Sequence, residues 1–222
     1  MARLGVLGGT FDPVHLGHLA AGRAAAAALA LDEVRLMPSR LPPHRSVGPR
    51  ASGHHRFAMA ALAALGEPGW TVSDLELTRE GPSFSFDTLT ALAGEGWTPT
   101  QIFFVIGADA FAEIATWSRY PAVLDLAHFV VVTRPGTTLG DVRARVPALA
   151  ARVTLPEHVA TRATTAVVLL AAATPDVSST DIRARAARSD GLAGLVTEPV
   201  EQYIRRHGLY AAFPGPAFGG QA

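Results

Sequence analysis

The sequence predicts an α/β fold: a parallel sheet with helices on both faces and a small C-terminal helical extension. Three observations carry that prediction. Short β-branched or Leu-rich runs alternate with longer Ala-rich stretches along the chain, the pattern of successive βα units. The runs Phe103-Phe104-Val105-Ile106 and Phe129-Val130-Val131-Val132 are apolar without alternation, as strands covered on both faces require. Hydrophobic residues make up 49% of the chain and charged ones 17%, a balance that packs a core.

In chain order, the apolar run at 4–7 is the first strand and feeds a Gly-rich turn. The Ala-rich stretch 16–30 is a helix, and 33–37 is the second strand. Residues 38–52, rich in Pro and Arg, read either as a ligand-facing loop that could close over substrate or as a solvated connection. Helices follow at 53–65, 86–93, 108–115, 140–150, 180–187 and 199–207, and strands at 71–74, 102–106, 129–133 and 166–170. One domain over 1–210 is expected, with a Gly/Pro-rich tail at 211–222.

Composition removes several chemistries. The chain has neither Lys nor Cys, so a P-loop lysine, a Schiff base, a catalytic thiol and Cys-ligated zinc are excluded. Nineteen Arg balance 19 Asp and Glu, so no global field draws nucleic acid or anionic lipid, and an anionic ligand needs a local cluster. No apolar run reaches the ~20 residues of a membrane span, and a cytoplasmic location is expected.

The densest signal is Gly8-Gly9-Thr10-Phe11-Asp12-Pro13-Val14-His15-Leu16-Gly17-His18, where the first strand gives way to the first helix. In an α/β sheet, ligands bind at that end of a strand. Gly8 and Gly9 admit a bulky ligand near the backbone, and the helix start offers amides and a positive dipole end to an anion. His15 and His18, three residues apart, share one helical face. A polyphosphate suits this group. A metal held by the two imidazoles is the competing chemistry, and structural histidines are the plain one. The spacing of Gly5, Gly8 and Gly9 misses the dinucleotide fingerprint, which argues against an NAD-dependent oxidoreductase.

A second group, Val177-Ser178-Ser179-Thr180-Asp181-Ile182-Arg183, opens a later helix. Its hydroxyls and amides could face an anion, and Arg183 could grip phosphate oxygens with two N–H groups. Taken alone, this is equally an ordinary capped helix with a solvated Arg.

Together the two strings resemble the signatures of the nucleotidyltransferase superfamily with an H-x-G-H motif. Intervening segments are similar to those of its nicotinate-nucleotide adenylyltransferase family. These are Pro42-Pro43-His44-Arg45, Pro82-Ser83-Phe84-Ser85-Phe86-Asp87-Thr88-Leu89, Gly107-Ala108-Asp109 with Trp117, and Thr133-Arg134-Pro135-Gly136. The resemblance spans 1–210. It implies a Rossmann-like sheet and adenylyl transfer from ATP to nicotinate mononucleotide, with Mg²⁺ carried on the ATP phosphates and no protein metal site.

Position by position, the resemblance implies that ATP meets Gly8, Gly9, Thr10, Phe11, His15, His18, Gly107, Asp109, Arg134, Ser178, Ser179, Thr180 and Arg183. His15, His18 and Arg183 would be the catalytic groups. Trp117 would stack on the nicotinate ring, with Ser85 and the amides of Phe86 and Ser118 at its carboxylate. His44 and Arg45 would hold the mononucleotide phosphate, and Asp109 would lie near a ribose or phosphate. Arg45, Phe84 and Ser85 stand where the family has Lys, Tyr and Thr.

Each of three residues also has a plain reading: Trp117 as core, Asp109 as a helix cap and Arg134 as a turn residue. His54, His55, His128, His158 and His207 read as structural or solvent-facing. Other acceptors, nicotinamide mononucleotide or phosphopantetheine, stay open, as does a non-catalytic nucleotide sensor. Oligomeric state is not legible in one sequence.

Overall fold

The computed structural model describes residues 1–43, 47–133, 140, 141, 144 and 147–211. Seven strands form one sheet: β1 Leu4–Gly9, β2 Glu33–Pro38, β3 Trp70–Val72, β4 Ile102–Gly107, β5 His128–Thr133, β6 Val153–Thr154 and β7 Val167–Ala171. Their order is β3-β2-β1-β4-β5-β7-β6, and every pairing is parallel. The chain winds outward from β1 through β2 to β3, then returns to β4 on the other side of β1. That reversal opens a crevice beyond the carboxyl ends of β1 and β4.

The unbroken apolar runs in β4 and β5 supply two cores at once. Phe103, Val105, Val130 and Val132 point into one, while Ile102, Phe104, Ile106, Phe129 and Val131 point into the other. Alternate side chains leave opposite faces of a strand, so both sets must be apolar when both faces are covered. Helices α1 Leu16–Leu29, α2 Gly53–Ala64, α6 Ser179–Ala187 and α7 Glu198–Arg206 send buried residues into the first core. Helices α4 Ser85–Gly94 and α5 Ala108–Ala112 send theirs into the second. Close packing of α1 depends on Gly22, whose missing Cβ leaves room for the Trp70 ring of β3.

The structure departs from the sequence expectation where elements are short. The strand expected at 71–74 spans Trp70–Val72, and a four-residue helix, α3 Leu75–Thr78, follows at once. β6 has two residues, too few to show a period. The helix expected at 108–115 stops at Ala112, and a 3₁₀ turn covers Ile114–Thr116. Of the helix expected at 140–150, Gly140, Asp141 and Ala144 are helical, and Pro147–Arg152 is 3₁₀. Pro147 has no amide to continue an α-helical ladder; the remaining positions, and 212–222 of the expected tail, lie outside the described residues.

Candidate active site

The first motif leaves the end of β1 and is clamped from several directions. Asp12 is 3% exposed. Its Oδ2 accepts from the Arg50 amide at 2.8 Å, and its Oδ1 accepts from the Ala51 amide at 3.0 Å and the Tyr210 hydroxyl at 2.8 Å. Burial, then the Asp12 charge, push the Tyr210 phenol far up, which keeps it a donor. Arg56, 2% exposed, donates Nη1 to the carbonyls of Thr10 (2.7 Å) and Ser39 (2.6 Å) and Nε to that of Ala51 (3.2 Å). Burial pulls its guanidinium down while the nearby Asp12 charge holds it up.

The motif ends on two stacked imidazoles. His15 occupies the N-cap of α1, and its ring lies over that of His18, with centroids 3.6 Å apart and planes 25° apart. Gly17 permits this, because a Cβ there would press on the His15 ring at 3.1 Å. The His15 amide donates to His18 Nδ1 at 3.2 Å. An accepting Nδ1 puts the proton of neutral His18 on Nε2, making that atom a donor. Phe11 stands edge-on to His18 at 5.0 Å and is 1% exposed. The Phe11 side chain, at a position expected to contact the nucleotide, is buried and props His18. The α1 start is also less open than expected, since the Leu16 amide donates to Leu195 O at 2.9 Å.

The second motif docks on the first. Arg183 Nη1 donates to Asp12 O at 2.7 Å, and Ser179 Oγ donates to Pro13 O at 2.9 Å. Partners 171 and 166 positions apart in the chain thus meet at one loop. Of the hydroxyls expected to face an anion, Ser179 donates its proton to Pro13 O, while Ser178 accepts from the Asp181 amide and Thr180 from Arg183 Nη2, which leaves the O–H donors of these two unspent. The start of α6 also offers backbone. Among the described residues the Ser179 and Thr180 amides meet no carbonyl, as the first turn of a helix leaves them. Two Arg183 bonds use two of its five N–H donors.

Beside His18 a cavity of about 350 Å³ opens into the crevice between β1 and β4. Its lining includes Gly8, Gly9, Thr10 and His18 from the first motif and Ser85, Phe86, Gly107, Trp117 and Ser118 from later segments. Among the described residues the Ser85 and Phe86 amides, in the first turn of α4, donate to no carbonyl. Trp117 answers both readings at once. Its ring packs edge-on against Phe104 (6.2 Å) and near-perpendicular to Phe129 (6.3 Å), yet it also walls the cavity.

Comparison with known proteins agrees with this geometry. A profile of the cytidylyltransferase-like family matches residues 6–185. A protein of Desulfatibacillum aliphaticivorans named "Probable nicotinate-nucleotide adenylyltransferase" is 38% identical over 94% of this chain and 99% of its own. One of the same name from Symbiobacterium thermophilum is 41% identical over 95% and 96%. The chain is a member of the nicotinate-nucleotide adenylyltransferase family. In fold it is similar to the Plasmodium falciparum nicotinic acid mononucleotide adenylyltransferase complexed with NaAD, at a TM-score of 0.71 and 15% identity over 95% of this chain and 98% of that one.

Within this adenylyltransferase framework, several sequence expectations change place. Asp109 is not a cap; Gly107 holds the N-cap of α5, and Asp109 is exposed in its first turn, outside the cavity lining. His44, Arg45 and Arg134 lie outside the described residues. His128, expected to be structural or solvent-facing, is structural: it is buried at the opposite end of β5, where Nδ1 accepts from the Ala166 amide at 3.1 Å.

Four further residues have a place in the site that sequence does not assign. Asp12 sits inside the motif but its partners come from distant segments. Arg56 carries a signal: a charged residue within an apolar helical stretch beside Met59, Ala60 and Ala63. Glu76 and Tyr210 carry none.

Proposed function

We propose that this chain transfers the adenylyl group of ATP to nicotinate mononucleotide, forming nicotinate adenine dinucleotide and pyrophosphate. The observation that carries the proposal is the shared cavity. His18 and the glycine turn of β1 line it together with Trp117 and the α4 start, whose first two amides have no carbonyl partner. A flat aromatic acid bonded to a phosphorylated sugar has the chemistry for Trp117 and those amides, and a triphosphate that for His18 and the glycine turn.

The attacking phosphate of the acceptor is already anionic at neutral pH, so it needs no general base. Catalysis rests on holding two repelling anions in line and on neutralising charge that gathers on the departing pyrophosphate. In this reading, His18 Nε2–H, Arg183 and the first-turn amides of α6 take those oxygens, and His15 holds the His18 ring by stacking. Among the described residues, no three His, Asp or Glu gather to hold a metal ion. In this reading Mg²⁺ would enter as part of the ATP substrate, where it offsets triphosphate charge.

No helix among the described residues is long and apolar enough to cross a membrane, and use of ATP fits the expected cytoplasmic location. Pyrophosphate release with ATP and each acceptor tests the proposal. Nicotinate mononucleotide should be turned over with a kcat/KM at least ~10-fold above that for nicotinamide mononucleotide. Equal use of both would overturn the acceptor assignment.

A further inference from the structure

A carboxyl group with no part in the mechanism above lies in the wall of the acceptor cavity. Glu76, on α3, is 6% exposed and lines the cavity together with Ser83, Phe84, Ser85 and Phe86. Its Oε1 accepts from the Thr88 hydroxyl at 2.7 Å, and Ser83, beside it in the cavity wall, favours the charged carboxyl. Thr88 is fully buried within α4. Ser83 Oγ in turn accepts from the Arg40 amide at 2.9 Å, and the Ser83 amide donates to Leu41 O at 2.9 Å. One side chain therefore ties together the segment after β2, the turn at 83–84 and the body of α4.

We propose that Glu76 is a positioning residue for the acceptor: by holding Thr88 and Ser83 it fixes the first turn of α4, with the Ser85 and Phe86 amides, against the cavity, and so sets the preference for an acidic over an amide ring substituent. The inference rests on the acceptor reading given above. Two physical points support it. Helix amides discriminate only when held in place, because a carboxylate accepts two such bonds whereas an amide group brings N–H donors of its own that they cannot satisfy. A carboxylate in this wall would also repel an anionic ring, but burial pushes the Glu76 carboxyl up toward its neutral form, against the opposing effects of Thr88, Ser83 and Arg79.

The test uses the full chain as wild type, Glu76→Ala, Glu76→Gln and Thr88→Val, with kcat and KM measured for both mononucleotides and for ATP. Glu76→Ala should lower kcat/KM for nicotinate mononucleotide about tenfold more than for nicotinamide mononucleotide, while the KM for ATP stays within about twofold. Gln can accept from Thr88 and donate to Ser83, so Glu76→Gln should recover most of the lost preference. Thr88→Val, which removes the bond to Glu76 and the one accepted from Arg79 and leaves the cavity lining unchanged, should shift preference in the same direction and decides the matter if Glu76→Ala fails to fold. Equal losses with both acceptors, or an unchanged ratio in Glu76→Ala and Thr88→Val, overturns the inference. Wild type that leaves nicotinate mononucleotide untouched overturns the acceptor reading itself, and this inference with it.

Discussion

At the scale of single residues, the site works through side chains fixed before any ligand arrives. His18 is held on three sides, by the His15 ring, the Phe11 edge and the His15 amide; in the proposed reading a ring so held meets a phosphate with little reorganisation. His18→Ala should lower kcat on the order of 10²–10³, the scale of losing one preorganised donor. Steady-state turnover within threefold of wild type would remove His18 from the chemistry. Trp117→Ala should raise the KM for the acceptor roughly ten- to hundredfold, as losing one aromatic stack does, and leave that for ATP nearly unchanged. Parallel rises in both constants would mean that the ring only supports the fold through Phe104 and Phe129.

The candidate site residues stand out at this scale because motif spacing exposes them. Their partners do not. Asp12 takes its hydrogen bonds from residues 38, 39 and 198 positions away, and pattern along a sequence carries no record of such distances. The Ser179 hydroxyl shows the limit from the other side. Residue types that suit an anion suit backbone carbonyls equally well, and here its proton goes to Pro13 O.

At the scale of elements, the long and strongly periodic segments fall where the sequence places them, and the brief ones do not. β1, β2, β4, β5 and β7 follow apolar runs, whereas β6 and α3 are shorter than any periodicity can mark. β5 also carries a titration that stability should report. His128 is buried at its start, and desolvation lowers its ring to about 4 from an ordinary 6.5. A backbone bond to Thr100 opposes that shift, and Arg162 and Arg3 add to it.

Below pH 6.5 the unfolded chain takes up a proton that the native ring refuses until about pH 4. Stability is therefore untouched above this window and falls as pH drops through it, by roughly 3 kcal/mol. Urea unfolding at stepped pH should show that slope. His128→Gln, which can still accept from the Ala166 amide, should flatten it; an unchanged slope would assign the acid sensitivity to other groups.

At the scale of the whole molecule, the topology explains how distant sequence becomes one site. Reversal of strand order between β1 and β4 opens the crevice, and the C-terminal helices close one side of it by returning to the β1 loop. Ser179 meets Pro13, Arg183 meets Asp12, and Tyr210 reaches the Asp12 carboxylate. Two motifs in order announce this meeting, but the returning path and the Tyr210 latch belong to the fold alone.

The direct test is Arg183→Ala, assayed for pyrophosphate release with ATP and nicotinate mononucleotide. Loss of kcat/KM on the order of 10²–10³, with a cooperative unfolding transition retained, is the result expected if both ends of the chain grip one triphosphate. A kcat/KM within threefold of wild type would mean that Arg183 serves only to fasten α6 to Asp12, and that the phosphates are held elsewhere.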